Sequence, residues 1–112
     1  MKVWHNNRCS KSRCAIELLD KKKVNYEVYK YLEETPSQSD LKDVLVKLGI
    51  SAKDLVRKGE PIFKEKYKGK ELSEQEWIEA MVENPKLIER PIIINGEKAV
   101  IGRPAENILE IM

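Results

Sequence analysis

The chain is short of the residues from which proteins build disulfide frameworks, metal cages and membrane spans. Its 112 residues include two cysteines, one histidine and one phenylalanine. Two cysteines do not make the disulfide scaffold that supports small secreted domains. Cys9, Cys14 and His5 together offer at most three zinc-type ligands, where a structural zinc takes four, so no metal site is expected. No apolar run approaches the ~20 residues that a membrane span needs. Met1-Lys2-Val3-Trp4-His5 turns polar at once, without the apolar core of a signal peptide, so a cytoplasmic location is expected. An excess of one charge is missing too: 21 basic residues face 19 acidic ones. A nucleic-acid binder would need a dense basic face. The glycine patterns of P-loops and Rossmann folds are absent, as are internal repeats and low-complexity linkers.

What is present suits one soluble domain over residues 1–112. Hydrophobic residues make up 41% of the chain and charged ones 36%, enough for one modest core and a well-solvated surface. Lys2-Val3-Trp4-His5 reads as a short strand. A helix beginning at Cys9 or Ser10 follows, with Ala15, Ile16, Leu18 and Leu19 on its apolar face and Lys21-Lys22-Lys23 at its C-terminal end, where cations are favoured. Asn25 to Tyr31 is a second strand, giving a parallel β-α-β unit. After the break at Thr35-Pro36-Ser37 come Leu41, Val44, Leu45 and Leu48 at helical spacing, ending at Gly49. Ser51 and Asp54 open a short helix through Arg57. Ile62, Phe63 and Tyr67 mark another. Ser73 to Glu76 forms a capping box ahead of Trp77, Ile78 and Met81, which read as core. Arg90 to Ile101 is a hairpin with Asn95-Gly96 as its two-residue turn. Pro104 opens a last helix that buries Ala105, Ile108, Leu109 and Met112. The expectation is a thioredoxin-like α/β fold: a mixed four-stranded sheet with flanking helices and a helical insertion, about 37–89, between the second and third strands.

The chemistry concentrates where the first strand meets the first helix. A helix N-terminus carries unpaired N–H groups and partial positive charge, so a thiol there loses its proton more readily and an oxyanion is attracted to the same field. His5, Arg8, Lys11 and Arg13 add positive charge. Cys9 is therefore the candidate nucleophile; a small buried cysteine beside a solvated basic loop is the plainer alternative. His5 is either a charge partner for Cys9 or a packed strand residue. Arg57, Arg90 and Arg103 each adjoin a Gly or Pro break. Each alone is a surface arginine; together, with the two Arg-Pro pairs flanking the hairpin, they could hold a tetrahedral oxyanion bidentately. A phosphatase loop is excluded, because six positions after the two cysteines stand Ala15 and Asp20. Within one helix, Cys9 and Cys14 would lie roughly 8.5 Å apart at Cα and be turned roughly 140° from each other, beyond the about 7 Å that a disulfide spans. Cys14 then reads as an inert packed cysteine, or as a resolving thiol if the helix start frays.

Taken together, His5-Asn6-x-x-Cys9-x-x-Ser12-Arg13, Leu55-Val56-Arg57-Lys58, Glu89-Arg90-Pro91-Ile92 and Gly102-Arg103-Pro104 resemble the glutaredoxin-linked arsenate reductases, nearly end to end. The resemblance implies reduction of arsenate to arsenite with no bound cofactor, glutathione as co-substrate and glutaredoxin as partner. It implies Cys9 as nucleophile, His5 lowering the thiol pKa, and Ser12 hydrogen-bonding near the thiolate. Arg57, Arg90 and Arg103 would bind the oxyanion, and Pro91 would be cis. Asn7 stands where that family commonly has proline, and Ser10-Lys11 replaces a glycine-threonine pair. Two other functions fit the same residues. One is a thiol oxidoreductase acting on glutathione mixed disulfides. The other is a regulator like the related Spx proteins, which bind RNA polymerase; those carry C-x-x-C, and Ser12 occupies the second cysteine's position.

Overall fold

Val3 and Trp4 point to opposite faces of the first strand, β1 (Lys2–Trp4), and both are buried, so that strand has to be covered on each side. The computed structural model describes residues 1–6 and 9–112. They form two compact units, one of residues 1–34 with 90–112 and the other of residues 35–89.

In the first unit, β1 pairs parallel with β2 (Glu27–Tyr29) and antiparallel with β3 (Ile92–Asn95), which pairs antiparallel with β4 (Lys98–Ile101). The sheet order is β2-β1-β3-β4, the expected mixed four-stranded sheet. The parallel pair is joined by α1 (Ser10–Lys21), as a crossover requires. On one side Val3 and Ile93 meet Ala15 and Leu19 of α1 and Ile108 and Ile111 near the C-terminus. Trp4 instead packs edge-on against Tyr29, with ring centroids 5.1 Å apart, and stacks on fully buried Tyr31 at 6.1 Å.

The second unit is the helical insertion between β2 and β3. It contains α2 (Gln38–Leu48), α3 (Ala52–Leu55), α4 (Pro61–Lys66) and α5 (Glu74–Glu83). Reciprocal capping boxes start α2, between Ser37 and Asp40, and α5, between Ser73 and Glu76. Helix α5 buries Trp77, Ile78, Ala80 and Met81 against α2, α3 and a 3₁₀ turn at Pro85–Leu87. Trp77 stacks on Phe63 at 6.2 Å. Both carboxylate oxygens of Glu74 accept from the Ala52 N–H at 3.0 Å, which ties α3 to the start of α5.

Several local expectations shift. Asn95 pairs with Lys98, so the hairpin loop is Gly96-Glu97 rather than Asn95-Gly96. Gly96 has φ 62°, and a positive φ at the first loop position alone is the glycine-first pattern of a type II′ turn. Asn95 instead donates from its side chain to the Ile111 carbonyl at 2.5 Å, fastening the C-terminus. The last helix is 3₁₀, Ala105–Glu110. Three residues per turn put Ile108 and Ile111 on one buried face and leave Leu109 and Met112 about half exposed, at 48% and 50%. The Ser51 hydroxyl donates to the Asp54 carboxylate at 3.1 Å and makes no cap bond to the backbone. Cys14 is exposed, not packed: it lies off the α1 stripe formed by Ser12, Ala15 and Leu19.

Candidate active site

Cys9 is the N-cap residue of α1, extended at φ −96° and ψ 120°. It is held by its own N–H donating to the Asn6 carbonyl at 3.0 Å and by its carbonyl accepting from the Arg13 N–H at 3.1 Å. The N-cap side chain faces the N–H groups of the first turn. Here a sulfur takes the place usually given to a hydroxyl or carboxylate oxygen. No cap hydrogen bond of regular geometry closes onto Sγ among the described residues, yet the Ser12 and Lys11 N–H groups act on its charge.

The sulfur is buried, with 8% of the residue exposed. Burial alone pushes a thiol pKa up, and that is the largest single influence on Cys9. It is outweighed by four donors acting together: the Ser12 N–H, the Arg90 and Arg103 guanidinium groups and the Lys11 N–H. They bring the thiol down from 9.0 to about 6, the direction that favours the thiolate at neutral pH.

Arg103 reaches the sulfur directly, Nη2 to Sγ at 3.4 Å. Its Nε donates to the Arg90 carbonyl at 2.8 Å, so the two arginines are fastened to each other through backbone. The peptide bonds Arg90-Pro91 and Arg103-Pro104 are both cis; the second lacked any sequence signal beyond its Arg-Pro pair. The segments before β3 and after β4 are tied by the Gly102 N–H donating to the Pro91 carbonyl at 2.8 Å. A Cβ on Gly102 would lie 2.7 Å from Ile93 Cδ1 and 3.0 Å from Pro91 Cγ. A side chain here would have to displace Ile93 or Pro91, so glycine suits this approach of the two segments.

Ser12 is fully buried. Its hydroxyl accepts from the Asn6 N–H at 3.4 Å, so the side chain ties α1 to Asn6. His5 is buried just beyond β1, and its N–H donates to the Tyr29 carbonyl at 2.9 Å. Lys11 and Arg13 are exposed on α1, whereas Arg8 and Asn7 lie outside the described residues. The first unit therefore gathers Cys9, Ser12, Arg90 and Arg103 into one cluster, with His5 at the end of the neighbouring strand.

Arg57 belongs to the second unit. It follows the antiparallel bridge Val56–Ile88, and its N–H donates to the Leu87 carbonyl at 2.6 Å. The guanidinium lies 3.7 Å from Glu60 and 4.0 Å from Glu89, between two carboxylates of its own unit. Among the described residues no group of His, Cys, Asp and Glu is placed to hold a metal ion, and no helix is long and apolar enough to cross a membrane.

The ArsC family model matches residues 4–111 of this chain. An arsenate reductase of Neisseria meningitidis serogroup A is 40% identical over 114 aligned positions, covering 100% of this chain and 97% of that protein. The YfgD protein of Escherichia coli K12 is 47% identical, covering 100% and 96%. Among solved structures, the arsenate reductase of Vibrio cholerae superposes with a TM-score of 0.94 at 41% identity, covering 100% of this chain and 98% of that one.

Proposed function

The chain belongs to the ArsC family, and we propose that it is an arsenate reductase that works through a Cys9 thiolate with glutathione and glutaredoxin as reductants. The observation that carries this reading is the Arg103 guanidinium resting 3.4 Å from Cys9 Sγ at a helix N-terminus. The same positive field makes the nucleophile and attracts its anionic target. The relatives named arsenate reductase support the choice of oxyanion.

In the proposed cycle, Arg90 and Arg103 spread their donors over the arsenate oxygens, and Arg57 contributes a third guanidinium. The Cys9 thiolate attacks arsenic, an S–As bond forms, and one oxygen leaves as water after protonation. A glutathione thiolate then attacks Cys9 Sγ. The S–As electron pair passes to arsenic, which departs as arsenite, reduced by two electrons. Cys9 is left in a disulfide with glutathione. A glutaredoxin thiol attacks the glutathione sulfur and releases Cys9 as thiolate, ready for another turn. The family motif gives His5 the part of favouring the thiolate, and Ser12 holds Asn6 through its hydroxyl. Because this cycle needs a reduced thiol pool, the proposal places the protein in the cytoplasm.

Purified protein supplied with arsenate, glutathione and glutaredoxin should form arsenite, and Cys9→Ser should abolish turnover while leaving the circular-dichroism spectrum unchanged. If wild-type protein with a fully alkylatable Cys9 forms no arsenite, the arsenate reading fails. Reduction of a small glutathione mixed disulfide by the same preparation would then assign the thiol to disulfide exchange.

A further inference from the structure

Arg103 sits on a turn between β4 and the final 3₁₀ helix, and a turn alone does not fix so long a side chain. The guanidinium is held by the Arg90 carbonyl, and the backbone that carries it is held by a side chain that the reaction does not use. Asn107 is half-buried, and its Nδ2 donates to two backbone carbonyls, Ile101 at 3.1 Å and Arg103 at 3.2 Å. The two acceptors bracket Gly102. The Asn107 N–H also donates to the Pro104 carbonyl at 3.0 Å. One residue thus pins Ile101, Arg103 and Pro104. Within that clamp Gly102 is bonded to Pro91, and Arg103 Nε to Arg90.

We propose that Asn107 is a positioning residue for the Cys9 site: its amide clamps the Gly102-Arg103 turn so that the Arg103 guanidinium stays against Sγ. An amide is suited to this task because it presents two N–H donors from one nitrogen. A hydroxyl at the same place offers one, and a carboxylate offers none and would repel both carbonyls. The Asn107 amide donates to backbone carbonyls and not to the sulfur, so its effect on Cys9 passes through Arg103. The inference rests on Cys9 being the reactive thiol, but not on arsenate being its target.

The test reads the thiol itself. Asn107→Leu keeps the branched shape and the number of heavy atoms and removes both donors. In this variant, the iodoacetamide alkylation rate of Cys9 should fall several-fold at pH 7, and the midpoint of its pH profile should move upward. The decisive arm is the Arg103→Ala background, where Asn107→Leu should add no further shift, because the guanidinium through which Asn107 acts is gone. Asn107→Ser, which retains one donor, should fall between wild type and Asn107→Leu; if the leucine variant does not fold, the serine variant in both backgrounds carries the comparison. A wild-type alkylation profile in the variant, or an equal shift with and without Arg103, would overturn the proposal. Alkylation involves no arsenate, so a protein inactive on arsenate would still answer this question.

Discussion

Cys9 occupies the place at the start of a helix where Ser, Thr, Asp or Asn usually accepts a backbone hydrogen bond. Exchanging oxygen for sulfur gives up a good cap and gains a thiol inside the field of the helix end. The balance at this residue has a measurable signature. With the thiol held at about 6 against an ordinary 9.0, alkylation by iodoacetamide should be half-maximal near pH 6 and flat above about pH 7.5. Stability follows the same proton. Between the two values the unfolded chain binds a proton that the native one has released, so stability should rise with pH across that window. The contribution is fully present above 9.0 and is lost as pH falls through about 6. Urea midpoints of wild type minus those of Cys9→Ser should therefore grow from pH 6 to pH 9. A difference constant with pH would mean that the sulfur is protonated in the folded protein.

At the scale of elements, the site is made where two strand ends cross the start of α1. The segment before β3 contributes Arg90 and the segment after β4 contributes Arg103, laced by the Gly102–Pro91 and Arg103–Arg90 hydrogen bonds. Gly102→Ala places a methyl within 2.7 Å of Ile93 Cδ1 and 3.0 Å of Pro91 Cγ. Ile93 is fully buried and has little room to turn aside. Overpacking of this kind costs about 1–3 kcal/mol, and relief by separating the two segments would also draw Arg103 from the sulfur. Both effects are expected: a lower denaturation midpoint, and slower alkylation of Cys9 at pH 7. A destabilised variant with unchanged thiol reactivity would show that the strain is absorbed in the core and not in the turn.

On the scale of the whole molecule, the sheet unit is discontinuous in sequence: residues 1–34 and 90–112 form it, and the residues between them form an insertion that has its own capped helices and its own core. Arg57 is carried by that insertion, and its proposed part in oxyanion binding rests on the Leu55-Val56-Arg57-Lys58 motif. Arg57→Ala should leave alkylation of Cys9 at its wild-type rate in the absence of arsenate. Protection of Cys9 by arsenate should weaken by about tenfold or more, the worth of one charge-assisted contact. Unchanged protection would remove Arg57 from the anion-binding set.

Much of this molecule was legible in its residues, for reasons that are local. The cysteine at a strand-to-helix junction, the capping box at Ser73, the mixed sheet implied by a crossover and a hairpin, and the buried Trp77–Met81 stripe all depend on periodicity and on neighbours within a few positions. The features that escaped such reading depend on contacts made at a distance. Asn95 is a strand residue because its side chain has a partner in Ile111, sixteen positions away, which moves the turn on by one residue. The final helix winds as 3₁₀ because Ile108 and Ile111, not Ile108 and Leu109, have a core to meet. Cys14 faces outward because the stripe that α1 buries runs through Ser12, Ala15 and Leu19. The sequence alone could supply a cysteine, a helix start and two Arg-Pro pairs. Only folding could set a guanidinium from position 103 within 3.4 Å of a sulfur at position 9, because that contact is closed by sheet pairing and a glycine-thin crossing that no nearby residue encodes.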